Sequence, residues 1–208
     1  MAVLNDWVEW VPLFPNGVRA DFNSNYVGFK KRNASGYNMG GCYMYAYDPT
    51  GEIVDSDPNH LDERVIYIGT AGSSKHRGIC SRTLDFTGTI MRGFKQKNPY
   101  ENGIYFRALF GEENKRHLYA AYFPMGYGEE IKIPSHNKEK ELLDEYKECY
   151  GSLPKVDGRL PQATIALEHA RCLAPKELEG LIEQCLKLLP KESLARLYNA
   201  IGKILKVS

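Results

Sequence analysis

The sequence predicts an α/β chain of the α+β kind, with a small, mainly antiparallel central sheet flanked by helices. Three observations predict it. The runs 41–47 and 65–72 are rich in β-branched and aromatic residues and bounded by Gly, Pro, Asn and Asp, the pattern of two hairpin strands. Further along, Leu142, Leu143, Tyr146 and Tyr150 fall at helical spacing with charges between them. The chain has 208 residues, 43% hydrophobic and 25% charged, which is enough for a real core and ordinary for a folded protein.

Taken in order, residues 1–35 read as an N-terminal arm or extra strand packed on the core. Pro12 and Pro15 argue against a helix there, Asn16-Gly17 is a turn signal, and Trp7 and Trp10 are the natural anchors. Residues 36–158 read as the core domain. In its first strand, residues two apart share a face, so Tyr43, Tyr45 and Tyr47 line one side, and a paired second strand brings Tyr67 beside Tyr43. The connection 48–64, with Pro49, Gly51, Pro58 and six acidic residues, reads as a solvated loop.

After the Gly72-Ser73-Ser74 loop a helix is predicted from about Ile79 to Lys97, with Gly88 and Gly93 as candidate points of interruption. The segment 69–75 lacks phosphate-loop spacing. Pro99 to Gly103 is a break, 104–110 reads as a third strand, and 118–123 fits a strand or part of a helix. Gly126, Gly128 and Pro134 punctuate a loop before a helix at 137–150. Residues 159–208 read as a C-terminal helical extension, with Pro175 at a helix start and apolar stripes such as Leu178, Leu181 and Ile182.

Five widely spaced cysteines with no C-x-x-C, and five histidines without ligand spacing, argue against a disulfide framework or a structural zinc site. The sequence shows no membrane-length apolar run and no signal-peptide pattern, so the expectation is a soluble, cytoplasmic protein without membrane partners. Net charge is only +1, yet the window 73–98 holds six Lys and Arg residues against Asp85 alone. That window reads either as a track for a phosphate backbone or as a solvated helix face balanced by the acidic loop.

Gly41-Cys42-Tyr43 on the first strand and Tyr67-Ile68-Gly69 on the second resemble the signature of the GIY-YIG nucleases, a Gly-Ile-Tyr strand followed by a Tyr-Ile-Gly strand. The first tripeptide departs from the pattern at one residue. A literal Gly-Ile-Tyr at 103–105 has no Tyr-Ile-Gly after it and reads as a chance match. The resemblance extends over about 36–157. The family's helix arginine, followed four residues later by an aromatic, matches Arg82 and Phe86. Its metal-binding Glu, in an E-x-x-L-[IL] context, matches Glu139 with Leu142-Leu143. Where the family often ends with Asn, this chain offers Asp157.

The resemblance implies a GIY-YIG-like core and a metal-dependent endonuclease hydrolysing DNA, of a stand-alone or restriction type. A two-fold DNA site would call for a homodimer. Its implied catalytic set is Tyr43, Tyr67, Arg82 and Glu139, with His76 in reserve for proton transfer and Arg77 competing with Arg82. Glu139 would hold a hydrated Mg²⁺ or Mn²⁺, with Glu168 as a rival. Arg82 would clamp phosphate oxygens through its planar fork. A phenol with a reference pKa of about 10 would orient or deprotonate water if cations favour the phenolate. Lys75, Arg77, Arg92, Lys95 and Lys97 would contact DNA. The alternatives are a nucleic-acid-binding module on the same scaffold without cleavage, and an interaction protein using its C-terminal helices.

Overall fold

The computed structural model describes residues 6–22, 28–156 and 168. They form an α+β fold in which four antiparallel strands are flanked by helices. The strands are β1 (Val8–Pro12), β2 (Gly40–Tyr47), β3 (Val65–Ala71) and β4 (Leu118–Gly126), in the order β1-β4-β2-β3. The helices are α1 (Ile79–Arg92), α2 (Glu101–Phe110) and α3 (Lys132–Tyr150).

The chain divides into two compact units, Met1–Thr87 with Glu113–Asp157, and Gly88–Glu112 with Gly158–Ser208. The whole sheet and α3 belong to the first. Within that unit β2 is one of the two inner strands, and every residue from Gly40 to Ala46 is buried because both of its faces are covered. Cys42, Met44 and Ala46 join Trp10, Ile53, Val65, Ile68 and Ala121 in a core closed by Leu142 and Tyr146 of α3. Tyr43 and Tyr45 point to the other face, where Phe86 and Thr83 of α1 meet them.

Several elements follow the sequence closely. β2 and β3 pair with Tyr45 opposite Tyr67 and Tyr43 opposite Gly69. The N-terminal segment adds β1 to the edge of the sheet against β4, with Trp10 buried and the Trp7 ring edge-on to Phe123 at 5.4 Å. Asn16 and Gly17 form the expected turn, both with positive φ. The segment at 118 is a strand, because it hydrogen-bonds along both edges, to β1 and to β2.

Other elements differ. The expected strand at 104–110 is the helix α2, within the second unit. Its residues Asn102 to Phe106 are all buried, and a short run buried without a break has no period to separate strand from helix. Arg107, Ala108 and Leu109 favour the helix, and Gly111 ends it with its N–H donating to the Arg107 carbonyl at 2.9 Å. The literal Gly-Ile-Tyr at 103–105 therefore lies on a helix, not on a strand.

Helix α1 runs to Arg92 and is interrupted at Gly93, one of the two glycines expected to break it, after which a single turn spans Gly93–Lys95. Helix α3 begins at Lys132, five residues ahead of expectation. Pro134 falls in its first turn, where a missing N–H costs nothing. The helix stops at Gly151, which takes the left-handed conformation at φ 72°.

The 48–64 connection is not simply solvated. Asp48 is 1% exposed, Ile53 is buried in the core, and Glu52–Asp55 makes a 3-10 turn. The Asp48 carboxylate accepts the Ile53 and Thr50 N–H groups and the Thr50 hydroxyl, and Arg64 pairs with it at 3.0 Å and with Asp62 at 2.6 Å. Of the expected C-terminal extension only Glu168 is among the described residues; Asp157 lies outside them. No described helix is long and apolar enough to cross a membrane.

Candidate active site

The aromatic face of the hairpin is built from the pleat upward. Tyr43, Tyr45 and Tyr67 sit with ring centroids 5.1–6.0 Å apart. Tyr45 stacks on Phe86 at 4.2 Å, and the Tyr45 hydroxyl hydrogen-bonds the Thr83 hydroxyl at 3.2 Å. These interactions seat α1 on the sheet. Phe86, matched in sequence to the aromatic that follows the arginine, is therefore a core ring with no exposure. Arg82, one turn earlier on the same helix, stays half-buried at the margin.

Tyr43 has no exposed surface and Tyr67 has 8%. Both rings run along the strand toward Gly69. A Cβ placed on Gly69 would lie 2.8 Å from the Tyr67 oxygen and 2.9 Å from Tyr43 Cζ. Two residues on, and on the same face, Ala71 begins the lining of a cleft.

That cleft, about 480 Å³, has Ala71, Gly72, Ser73 and Ser74 along one side, with Arg77, Arg82, Glu129 and Lys132 completing it. Its parts are held by short hydrogen bonds. The buried Ser73 hydroxyl donates to the Asn38 carbonyl at 2.6 Å and accepts the Gly128 N–H at 2.7 Å, which sets the turn bearing Glu129. Ser74 Oγ accepts the Arg77 N–H at 2.8 Å, and the Ser74 N–H donates to the Arg77 carbonyl at 2.9 Å. The resulting tight turn exposes Lys75, His76 and Arg77. Gly78 then passes so near β2 that a Cβ would lie 2.4 Å from the Met39 carbonyl oxygen.

No family model, curated protein or solved structure matches this chain.

The cleft gathers three cations, Arg77, Arg82 and Lys132, around one carboxylate, Glu129. Among the sequence-predicted residues, both rival arginines line it, whereas Tyr43 and Tyr67 pack together within the core and do not. Lys75 and His76 sit on the rim turn, with the Lys75 ammonium 6.0 Å from the Tyr37 ring centroid. Arg92, Lys95 and Lys97 belong to the second unit.

Glu139 is elsewhere. It lies on α3, which covers the Cys42 and Met44 face of the sheet, and its carboxylate is 3.4 Å from His136 Nδ1. Its charge also bears on Cys42, whose thiol is pushed up to about 12 by burial first and Glu139 second. Glu168 is buried in an ion pair with Arg107 in the second unit. Among the described residues no three His, Cys, Asp or Glu side chains gather as a ready-made metal cage.

Glu129 was not singled out from the sequence. Its signal is local: an acidic residue directly after the Gly126-Tyr127-Gly128 turn and just before a helix. Burial raises the Cys80 thiol to about 11 as well, so neither of these two buried thiols is a ready nucleophile. A second cleft, about 490 Å³ and lined by Asp48, Asp62, Glu63 and Arg64, is less suited to chemistry, because Arg64 already pairs with both aspartates.

Proposed function

We propose that the cleft beside β3 hydrolyses phosphodiester bonds of DNA, as a divalent-metal-dependent endonuclease of the GIY-YIG type, in the manner of a restriction enzyme. One observation carries this reading: Arg77, Arg82 and Lys132 share a cleft with the single carboxylate Glu129, next to the strand whose Tyr67 packs against Tyr43.

The donor set suits the chemistry. Phosphoryl transfer needs cations on the non-bridging oxygens, a positioned water and relief of charge on the leaving oxygen. The guanidinium of Arg82 offers a planar fork to two phosphate oxygens, with Arg77 or Lys132 supplying further positive charge. A single carboxylate fits Mg²⁺ or Mn²⁺ that keeps most of its waters, and Glu129 is the residue in the cleft that would hold it, in place of Glu139. Such an ion, when bound, would supply Lewis-acid stabilisation and lower the pKa of a coordinated water. In this reading Tyr67, the more exposed of the tyrosine pair, would orient a water by hydrogen bonding, with Tyr43 supporting its ring. His76 on the rim remains the reserve for proton transfer.

The test is incubation of supercoiled plasmid and phage DNA with the purified protein, in Mg²⁺, Mn²⁺ or chelator. Discrete metal-dependent fragments support a sequence-specific endonuclease, and nicking or a smear supports a less selective nuclease. Salt-sensitive DNA binding with no cut in either metal would replace this reading by the non-catalytic binding module, which the three-to-one excess of cations over carboxylates in the cleft also accommodates.

A further inference from the structure

The segments that flank β2 and β3 in sequence differ in charge. Residues 22–47 contain no Asp or Glu, and neither do residues 64–84. Between them, residues 48–63 hold six acidic residues and no Lys or Arg. β2 and β3 carry these segments to opposite ends of the hairpin. An eight-residue strand separates those ends by roughly 23 Å. At the far end the acids are held in place by Arg64 and by backbone N–H groups.

At the near end the two acid-free segments are stitched together. The Asn38 N–H and its side-chain amide both donate to the Ser74 carbonyl, at 2.8 and 2.9 Å, and the Ile79 N–H donates to the Met39 carbonyl at 2.9 Å. Residues 31–39 form a tight hairpin of their own. Met39 N–H donates to Lys31 O, Asn33 N–H donates to Tyr37 O, and Gly36 at φ 79° makes the turn. The Tyr127 hydroxyl donates to the Lys30 carbonyl at 2.6 Å, which ties this hairpin to the turn that bears Glu129. Lys30 and Arg32 are exposed and Lys31 half-buried, beside exposed Lys75 and Arg77 on the neighbouring turn.

We propose that the 30–39 hairpin and the 74–77 turn form a backbone track for duplex DNA leading to the cleft, with Lys30, Lys31 and Arg32 on phosphates flanking the reacting one. The assignment of DNA rests on the hydrolytic reading of the cleft; the surface itself rests on the charge pattern and the hydrogen bonds. Duplex fits better than single strand, because single-strand binding needs open aromatic platforms for the bases. Here Phe29 is buried and the Lys75 ammonium lies over the Tyr37 ring.

Duplex binding is measured by fluorescence anisotropy with a labelled 20-base-pair DNA in chelator, from low to moderate salt, so that no cleavage intervenes. Wild type is compared with Lys30→Ala/Lys31→Ala/Arg32→Ala and with the equal-charge control Lys140→Ala/Lys147→Ala/Lys155→Ala, each checked for folding by circular dichroism. The first triple is expected to weaken binding at least tenfold and to flatten the slope of log K against log salt by roughly 1 for each phosphate no longer neutralised, while the control stays near wild type. Equal weakening in both triples, no change in the first, no duplex binding by wild type, or tighter binding of single strands or an acidic peptide would overturn the track. Track-dependent binding without cleavage in the plasmid assay would leave the track standing and remove the hydrolytic reading alone.

Discussion

Tyr43 and Tyr67 lie across the β2–β3 hairpin with ring centroids 6.0 Å apart, and both phenol ends close over the Cα of Gly69. The missing side chain of Gly69 is what makes room for the pair. A Cβ there would stand 2.6 Å from Tyr67 Cε1, too near for either ring to keep its place. Gly69→Ala is expected to destabilise the protein by about 1–3 kcal/mol, the usual cost of overpacking, and to lower cleavage further than the reduced stability explains. Urea melts and plasmid cleavage at a temperature where both proteins are folded check this; unchanged cleavage would separate the tyrosine pair from the chemistry.

The carboxylates make the sharpest contrast. Glu129→Gln and Arg82→Ala are each expected to lower cleavage by about 100-fold or more, with melting temperatures near wild type, since both side chains line the cleft and neither is buried in the core. Glu139→Gln, on the helix that covers the opposite face, is expected to keep most activity. The reverse order of the two glutamates would return the metal assignment to Glu139.

Asp48 makes a pH-dependent contribution to stability. Burial pushes its carboxyl up, but the hydrogen bonds from Thr50 and Ile53 and the charge of Arg64 outweigh this and hold it below the ordinary value of 3.8. A carboxyl depressed on folding stabilises fully above its unfolded value, and that contribution disappears as pH falls through the folded one. Asp48→Asn should therefore cost about 3 kcal/mol at neutral pH, with the gap to wild type constant above about pH 5 and closing below about pH 4. Chemical melts at a series of pH values read this directly.

Arg107 pairs with Glu168, which has no exposed surface, and with Glu112 at 2.9 Å. Removing Glu168 leaves Arg107 still paired with Glu112 and donating to the Ile90 carbonyl. Glu168→Ala is expected to cost about 1.5–3 kcal/mol in a thermal or urea melt and to leave the metal dependence of any remaining cleavage unaltered. A changed metal requirement in a folded Glu168→Ala would restore this residue as a ligand.

The thiols of Cys42 and Cys80 are expected to resist alkylation in the native protein at pH 8. Burial raises the first to about 12 and the second to about 11, so almost no thiolate is present and the sulfurs are covered. Mass spectrometry after iodoacetamide, with and without denaturant, should show Cys149 modified under both conditions and these two only on unfolding.

The sequence by itself determined what depends on near neighbours along the chain. The aromatic and β-branched runs with their two-residue period specified β2 and β3, and the register that puts Tyr43 and Tyr67 on one face follows from that period. The spacing of Leu142 and Tyr146 specified the buried side of α3. Arg82 and Arg77 were both legible as cations just after β3, and both reach the cleft.

Only the tertiary structure decided the rest, because it depends on residues distant in sequence. The buried run of α2 carries no period and becomes a helix only in its packed surroundings. β4 is a strand because it inserts between β1 and β2. The acidic connection is ordered because Arg64 and backbone N–H groups converge on Asp48. Glu129 enters the cleft because Ser73, more than fifty residues earlier, fixes the Gly128 turn, whereas Glu139 follows α3 to the other face. A carboxylate on a helix looks much the same from its neighbours on either side of a sheet, and the packing of that helix chooses the side.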